Sequence, residues 1–148
     1  MAVLNPVGIV NDYPSVVVGT AGELSADLFT EVEGSGYSLI DSEVWACVEK
    51  ALIHYAGWSV FEAQLFSNNS PIQLDEDLPI YAHEWARIKP LAKAECDVIQ
   101  APRMEADRSM GMEPFGLDVQ TATNNLRELK ELFPKATYVQ EPEFIELE

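Results

Sequence analysis

The chain has 148 residues, 25 acidic and 9 basic, a formal net charge of −16 and a hydrophobic share of 47%. That length suits one domain with an ordinary core, and the hydrophobic share argues against intrinsic disorder. So anionic a surface repels nucleic acid and anionic membranes, because phosphate binding needs Lys and Arg to displace counterions.

The charge is unevenly spread. Through residue 86 the only Lys or Arg is Lys50; the others are Arg87, Lys89, Lys93, Arg103, Arg108, Arg127, Lys130 and Lys135. The end is acidic again, with Glu141, Glu143, Glu146 and Glu148. Solubility is one reading of this acidity. A surface that meets a basic partner, or lets DNA pass without sticking, is the other. The opening Met1-Ala2-Val3-Leu4-Asn5-Pro6 lacks the basic start of a signal peptide. No apolar run approaches the ~20 residues of a membrane span, so no membrane partner is expected. Cys47 and Cys96 form neither a C-x-x-C pair nor a zinc spacing. Free buried thiols are the expected state, with one disulfide left open.

Residues 1–40 are rich in Gly, Pro and β-branched types and read as an extended or short-strand N-terminal segment. Residues 7–10 and 16–18 are candidate short strands, and Gly19-Thr20-Ala21-Gly22 and Gly34-Ser35-Gly36 are turns. Between those turns, residues 23–32 fit a short helix or another strand, and their periodicity does not decide.

Residues 41–135 read as a helical core. The first helix is expected over 42–56, with Asp41 as N-cap and Glu43 complementing the positive helix end. Val44, Val48, Ala51, Leu52 and Tyr55 form its apolar stripe. Gly57 is expected to bend or end it, and residues 58–66 to continue it as far as the breaker run at 67–71. The second helix is expected from near Asp77, with Pro79 in its first turn. Its stripe is Tyr81, Trp85, Ile88, Ala92, Cys96 and Ile99, with a kink or break at Pro90 and an end at Pro102. Residues 101–117 read as a loop with one helical turn near 104–109. The third helix starts after Asp118, another N-cap, and carries Val119, Ala122, Leu126, Leu129 and Phe133 before Pro134. Residues 136–148 read as an extended, acidic and apolar C-terminal tail. The fold class is therefore mainly α: an antiparallel bundle of three to four helices between an extended start and an extended tail.

No organised reactive group emerges. There is no Walker-type loop, and Gly19-Thr20-Ala21-Gly22 lacks dinucleotide-binding spacing. His83-Glu84 does not extend to H-E-x-x-H, because Arg87 stands at the last position. Cys47 and His54 fit one helix face, but a nucleophilic thiolate needs an electropositive setting and the surroundings are acidic. Asp75-Glu76-Asp77 does not fit a calcium loop and reads better as a helix start. Trp45, Trp58 and Trp85 read first as core packing, and second as subunit contacts. No enzyme activity, cofactor, metal site or catalytic residue is expected.

Residues 85–95 (Trp85-Ala86-Arg87-Ile88-Lys89-Pro90-Leu91-Ala92-Lys93-Ala94-Glu95), followed by Arg103-Met104-Glu105-Ala106, resemble the central helix region of tailed-phage head–tail connector (adaptor, or head completion) proteins. The likeness spans about residues 41–135. It implies a structural protein of the virion, assembled in the host cytoplasm, that forms a homo-oligomeric ring below the portal. Its partners are then other copies of itself, the portal protein, and tail or neck proteins. Carboxylates facing the channel keep phosphate mobile, so DNA passes without specific binding. Ring closure requires a head-to-tail interface. In the tail, Tyr138, Val139, Phe144, Ile145 and Leu147 are the candidate partner-binding residues, adding to a sheet or groove on a neighbour. Three other readings stand beside this one: a minor capsid or decoration protein laced onto a shell, a DNA-mimic inhibitor that fills a basic cleft, and a small enzyme with an acidic metal site.

Overall fold

The computed structural model describes residues 3–4, 16–65, 72–109 and 118–140. The protein is mainly α, with its elements in the order β1 (Val3–Leu4), β2 (Val16–Thr20), α1 (Ala21–Gly34), α2 (Asp41–Trp58), α3 (Glu62–Leu65), β3 (Pro79–Tyr81), α4 (Ala82–Ser109) and α5 (Val119–Gln140). The expected strand at residues 7–10 and the breaker run at 67–71 lie outside the described residues.

The first forty residues are less extended than their composition suggests. Residues 21–34 form a helix because Ala21, Leu24, Ser25, Leu28 and Val32 recur at helical steps and are all buried. Thr20 caps it, its hydroxyl accepting from the Glu23 amide at 3.3 Å. The helix closes at Gly36, whose φ of +92° favours glycine and whose N–H donates to the Glu33 carbonyl at 3.0 Å. Gly22 is needed for a different reason. A Cβ there would stand 3.0 Å from the Glu76 side chain, beside the Gly22 N–H bond to the Glu76 carbonyl at 2.9 Å.

The three strands form one antiparallel sheet in the order β1-β2-β3, with Val3 opposite Val17 and Val17 opposite Tyr81. This corrects the expected start of the second helix. Asp75 turns the chain by accepting from the Asp77 amide at 3.0 Å. Residues 79–81 then pair with β2, and the helix begins only at Ala82. Ile80 and Tyr81 are buried by this pairing, which outweighs the suitability of Pro79 for a first helical turn.

Helix α2 keeps its predicted stripe, with Val44, Val48, Ala51, Leu52 and Tyr55 all buried and Cys47 buried beside them. Its N-cap is Ile40 rather than Asp41. Glu43 secures that end by accepting from the Ile40 amide at 3.1 Å. Gly57 does not end the helix, which reaches Trp58. The chain then leaves helical geometry at Ser59 before the short α3.

Helix α4 is one 28-residue helix containing both Pro90 and Pro102, where a kink or break and an end were expected; it does not break at Pro90 or end at Pro102. Each proline removes one backbone donor, but both are exposed and their neighbours are not. Ile88, Leu91, Ala92, Ala101 and Met104 are buried and hold the helix on the core. Its far end is also tied across the bundle. Arg103 donates to the Ser38 carbonyl at 2.6 Å and to Glu43 at 3.2 Å. The expected loop over 101–117 is therefore helix as far as Ser109, and residues 110–117 lie outside the described residues.

Asp118 caps α5 as expected, accepting from the Thr121 amide at 2.6 Å. Ala122 and Phe133 are buried, and Leu126 and Leu129 pack against the core. The helix continues through Pro134 to Gln140, so the first residues of the supposed tail are helical.

The bundle is antiparallel where its cross-contacts can be traced. The start of α2 meets the end of α4 through Glu43 and Arg103, while Cys47 meets Cys96 further in. Helix α5 reaches both others: Lys130 pairs with Glu95 of α4 at 3.3 Å, and the Phe133 ring lies 5.0 Å from that of His54 on α2. The core formed between these helices and α1 includes Leu28, Val32, Val44, Val48, Leu52, Tyr55, Ile88, Leu91 and Phe133.

Candidate interaction surface

Three polar clusters join elements of the bundle, and the first two hold the fold together. Glu84 has no exposed surface, yet its carboxylate accepts from the Tyr81 amide and from the Glu62 amide, both at 3.0 Å. It satisfies donors at the starts of α4 and α3 together. Glu62 in turn faces His83 Nε2 at 3.4 Å. The second cluster joins the α1–α2 connection to α4. Tyr37 donates to Asp97, and Gln100 accepts from the Ser38 amide at 3.0 Å. Burial, and then the Asp97 carboxylate, raise the Tyr37 hydroxyl well above its ordinary range.

The third cluster is His54 with Lys130, Glu95 and Phe133. Burial, and then the Lys130 ammonium, hold His54 below the usual histidine value. Its Nε2 is buried without a hydrogen-bond partner. Cys47 and His54, which the sequence places on one helix face, have different neighbours here. Cys47 pairs with the Cys96 thiol, and His54 packs on Phe133. The hydrogen bond, followed by burial and the Asp97 and Glu95 charges, pushes the Cys96 thiol up. Among the described residues, no group of three or more His, Cys, Asp or Glu side chains could hold a metal ion. Among the same residues, no helix is long and apolar enough to cross a membrane.

The outside of the molecule divides by chemistry. On α1, Glu23, Asp27, Glu31 and Glu33 are exposed, and among the described residues only Glu31 has a cation opposite it, Lys89 at 3.0 Å. The C-terminal half of α2 is the opposite case. Residues 51–61 contain no Asp, Glu, Lys or Arg. Ala51, Leu52 and Tyr55 turn inward, leaving Ile53 at 56%, Trp58 at 55% and Val60 at 49% exposed. Ala56 and Gly57 are exposed between them, and Lys50 lies one turn before Ile53. Large apolar side chains open to water at this density mark contact surfaces, and tryptophan is the residue most often found at the energetic centre of one. A separate shallow groove of about 390 Å³ runs between α4 and α5, lined by Pro90, Lys93, Asp97, Glu128, Leu129 and Leu132.

Trp45 and Trp85 pack against the core as expected, whereas Trp58 does not. Of the tail residues proposed from sequence to bind partners, Tyr138 and Val139 fall in the last turns of α5, while Phe144, Ile145 and Leu147 lie outside the described residues. The α2 face was not singled out from sequence. Its signal was available: apolar residues on every side of a helix end, in a charge-free run within a strongly acidic chain.

Compared with known proteins, the chain matches no family model, no curated protein and no solved structure.

Proposed function

We propose that this chain is a structural subunit acting through protein–protein contact, in the head–tail connector role that its sequence resembles. In that role copies form a closed ring beneath a portal-like protein and above tail or neck proteins of a virion. DNA passes through without being gripped, and the chain performs no chemistry. The observation that carries the reading is the apolar surface at the C-terminal end of α2 and just after it, where Ile53, Trp58 and Val60 are about half exposed in a molecule whose formal net charge is −16. Such side chains gain free energy on leaving water, at roughly 25 cal/mol per Å² of apolar surface covered. The surrounding charge discourages non-specific association. The exposed carboxylates of α1 supply the anionic lining that a DNA passage requires, since they add nothing that could displace phosphate counterions.

The test is native mass spectrometry of the full chain, alone and with the proteins encoded beside it, for the wild type and for Trp58→Glu. The expected result is a closed oligomer for the wild type. The variant should stay monomeric with an unchanged helical circular-dichroism spectrum, since Trp58 is not part of the core. Assembly by the variant at wild-type concentrations would remove the α2 face from the account. A wild-type chain that stays monomeric with every neighbour would remove the assembly role itself.

A further inference from the structure

The protein has two cysteines, at the centres of two different helices, with residues 48–95 between them in sequence. Folding brings them together. Cys47 of α2 and Cys96 of α4 both have 0% exposure, belong to the same core cluster on facing helices, and are near enough that each thiol is the other's leading electrostatic neighbour. The helices that carry them run antiparallel and are fixed against each other at a second point by Arg103 and Glu43. The approach of the two sulfurs is therefore set by the packing of the bundle and not by a mobile side chain.

We propose that Cys47 and Cys96 are a latent cross-link: in the folded protein they exchange with a low-molecular-weight disulfide to form an intramolecular disulfide that staples α2 to α4. The chemistry proceeds in two displacements. The sulfur of one cysteine, as thiolate, attacks the small disulfide, forming a mixed disulfide and releasing one small thiol. The second cysteine sulfur then attacks the protein-bound sulfur of that mixed disulfide, closing the Cys47–Cys96 bond and releasing the second small thiol. The protein pair gives up two electrons and two protons, and both are recovered in the two small thiols.

The fold sets the character of the reaction. Burial makes the first step slow, because a thiol with no exposed surface meets the reagent only during local opening of the α2–α4 contact. Packing of the two cysteines in one core cluster makes the second step fast, because the attacking group is already nearby. The mixed disulfide should therefore not accumulate. The closed bond also removes freedom from the unfolded chain across a loop of about 50 residues. It therefore stabilises the fold without a new contact on the surface, and the inference is independent of the assembly role.

The experiment uses the full wild-type chain in glutathione redox buffers, once native and once unfolded in guanidinium chloride. Intact mass and non-reducing tryptic maps follow the reaction. A disulfide lowers the mass by about 2 Da and links the peptide of residues 1–50 to that of residues 94–103. The effective concentration of one thiol toward the other, read from the glutathione ratio at half-oxidation, should be about a hundredfold higher in the native protein. By linkage, the oxidised protein should then melt several degrees higher. An equal or lower effective concentration in the native state would overturn the proposal, as would glutathione adducts that persist on either cysteine.

Discussion

Glu84 is a carboxylate with no exposed surface, a placement that is costly unless every oxygen is met. It persists because two backbone amides at two helix starts point at it, each at 3.0 Å. Glu84→Ala should therefore destabilise by about 3 kcal/mol, since it strands both amides away from water. The corresponding fall in melting temperature is roughly 6–12 °C for a chain of this size, measured by scanning calorimetry. Glu84→Gln keeps one acceptor oxygen and should fall between the two. His54 gives a different signature. Burial and Lys130 lower its pKa in the fold, so folding favours its neutral form. The associated stability is present above the unfolded histidine value near 6.5 and fades as pH drops through it toward the lower folded value. Urea midpoints of the wild type should fall more steeply between about pH 7.5 and 5.5 than those of His54→Phe. Equal slopes would show that His54 does not titrate differently in the fold.

At the scale of elements, α4 is the informative case. Pro90 and Pro102 predicted a kink or break and an end, and local propensity alone supports stopping the helix at either. The helix continues because its inward residues, Ile88 to Met104, are buried at helical steps, and packing outweighs the loss of one donor at each proline. Pro90 is exposed, so Pro90→Ala should stabilise. It restores a backbone donor and a strong helix former at a position with no core role, for a net gain of about 1–2 kcal/mol after the added freedom of the unfolded chain. A loss of stability on thermal unfolding would mean that Pro90 contributes packing.

The sequence stripe of α2, the Asp118 cap and the α5 stripe were legible because each is a local pattern. The β3 strand was not, because only its partner β2 distinguishes residues 79–81 from a helix start. Neither was the helical α1, whose buried face includes Ser25 and Ala21 along with the larger apolar residues. The Cys47–Cys96 contact and the Glu84 staple depend on tertiary proximity, which no spacing reports.

At the scale of the whole molecule, two facts act in opposite directions. The formal charge of −16 makes copies repel one another and strains the compact state, while the α2 face favours contact. Raising salt from about 10 mM to about 150 mM shortens the reach of the repulsion to about 8 Å. It should therefore raise the melting temperature of the free subunit and also promote its assembly. An interface built on ion pairs would respond in the opposite sense, so sedimentation across a salt series separates the two.

The most direct measurement is hydroxyl-radical footprinting of Trp58 in the free subunit and in the assembly recovered with its neighbours. The exposed indole should be oxidised readily in the free subunit. In the assembly it should be protected several-fold, together with Ile53 and Val60, while the α1 surface around Phe29 changes little. Equal oxidation of Trp58 in both states would contradict a protein-contact role for the α2 face.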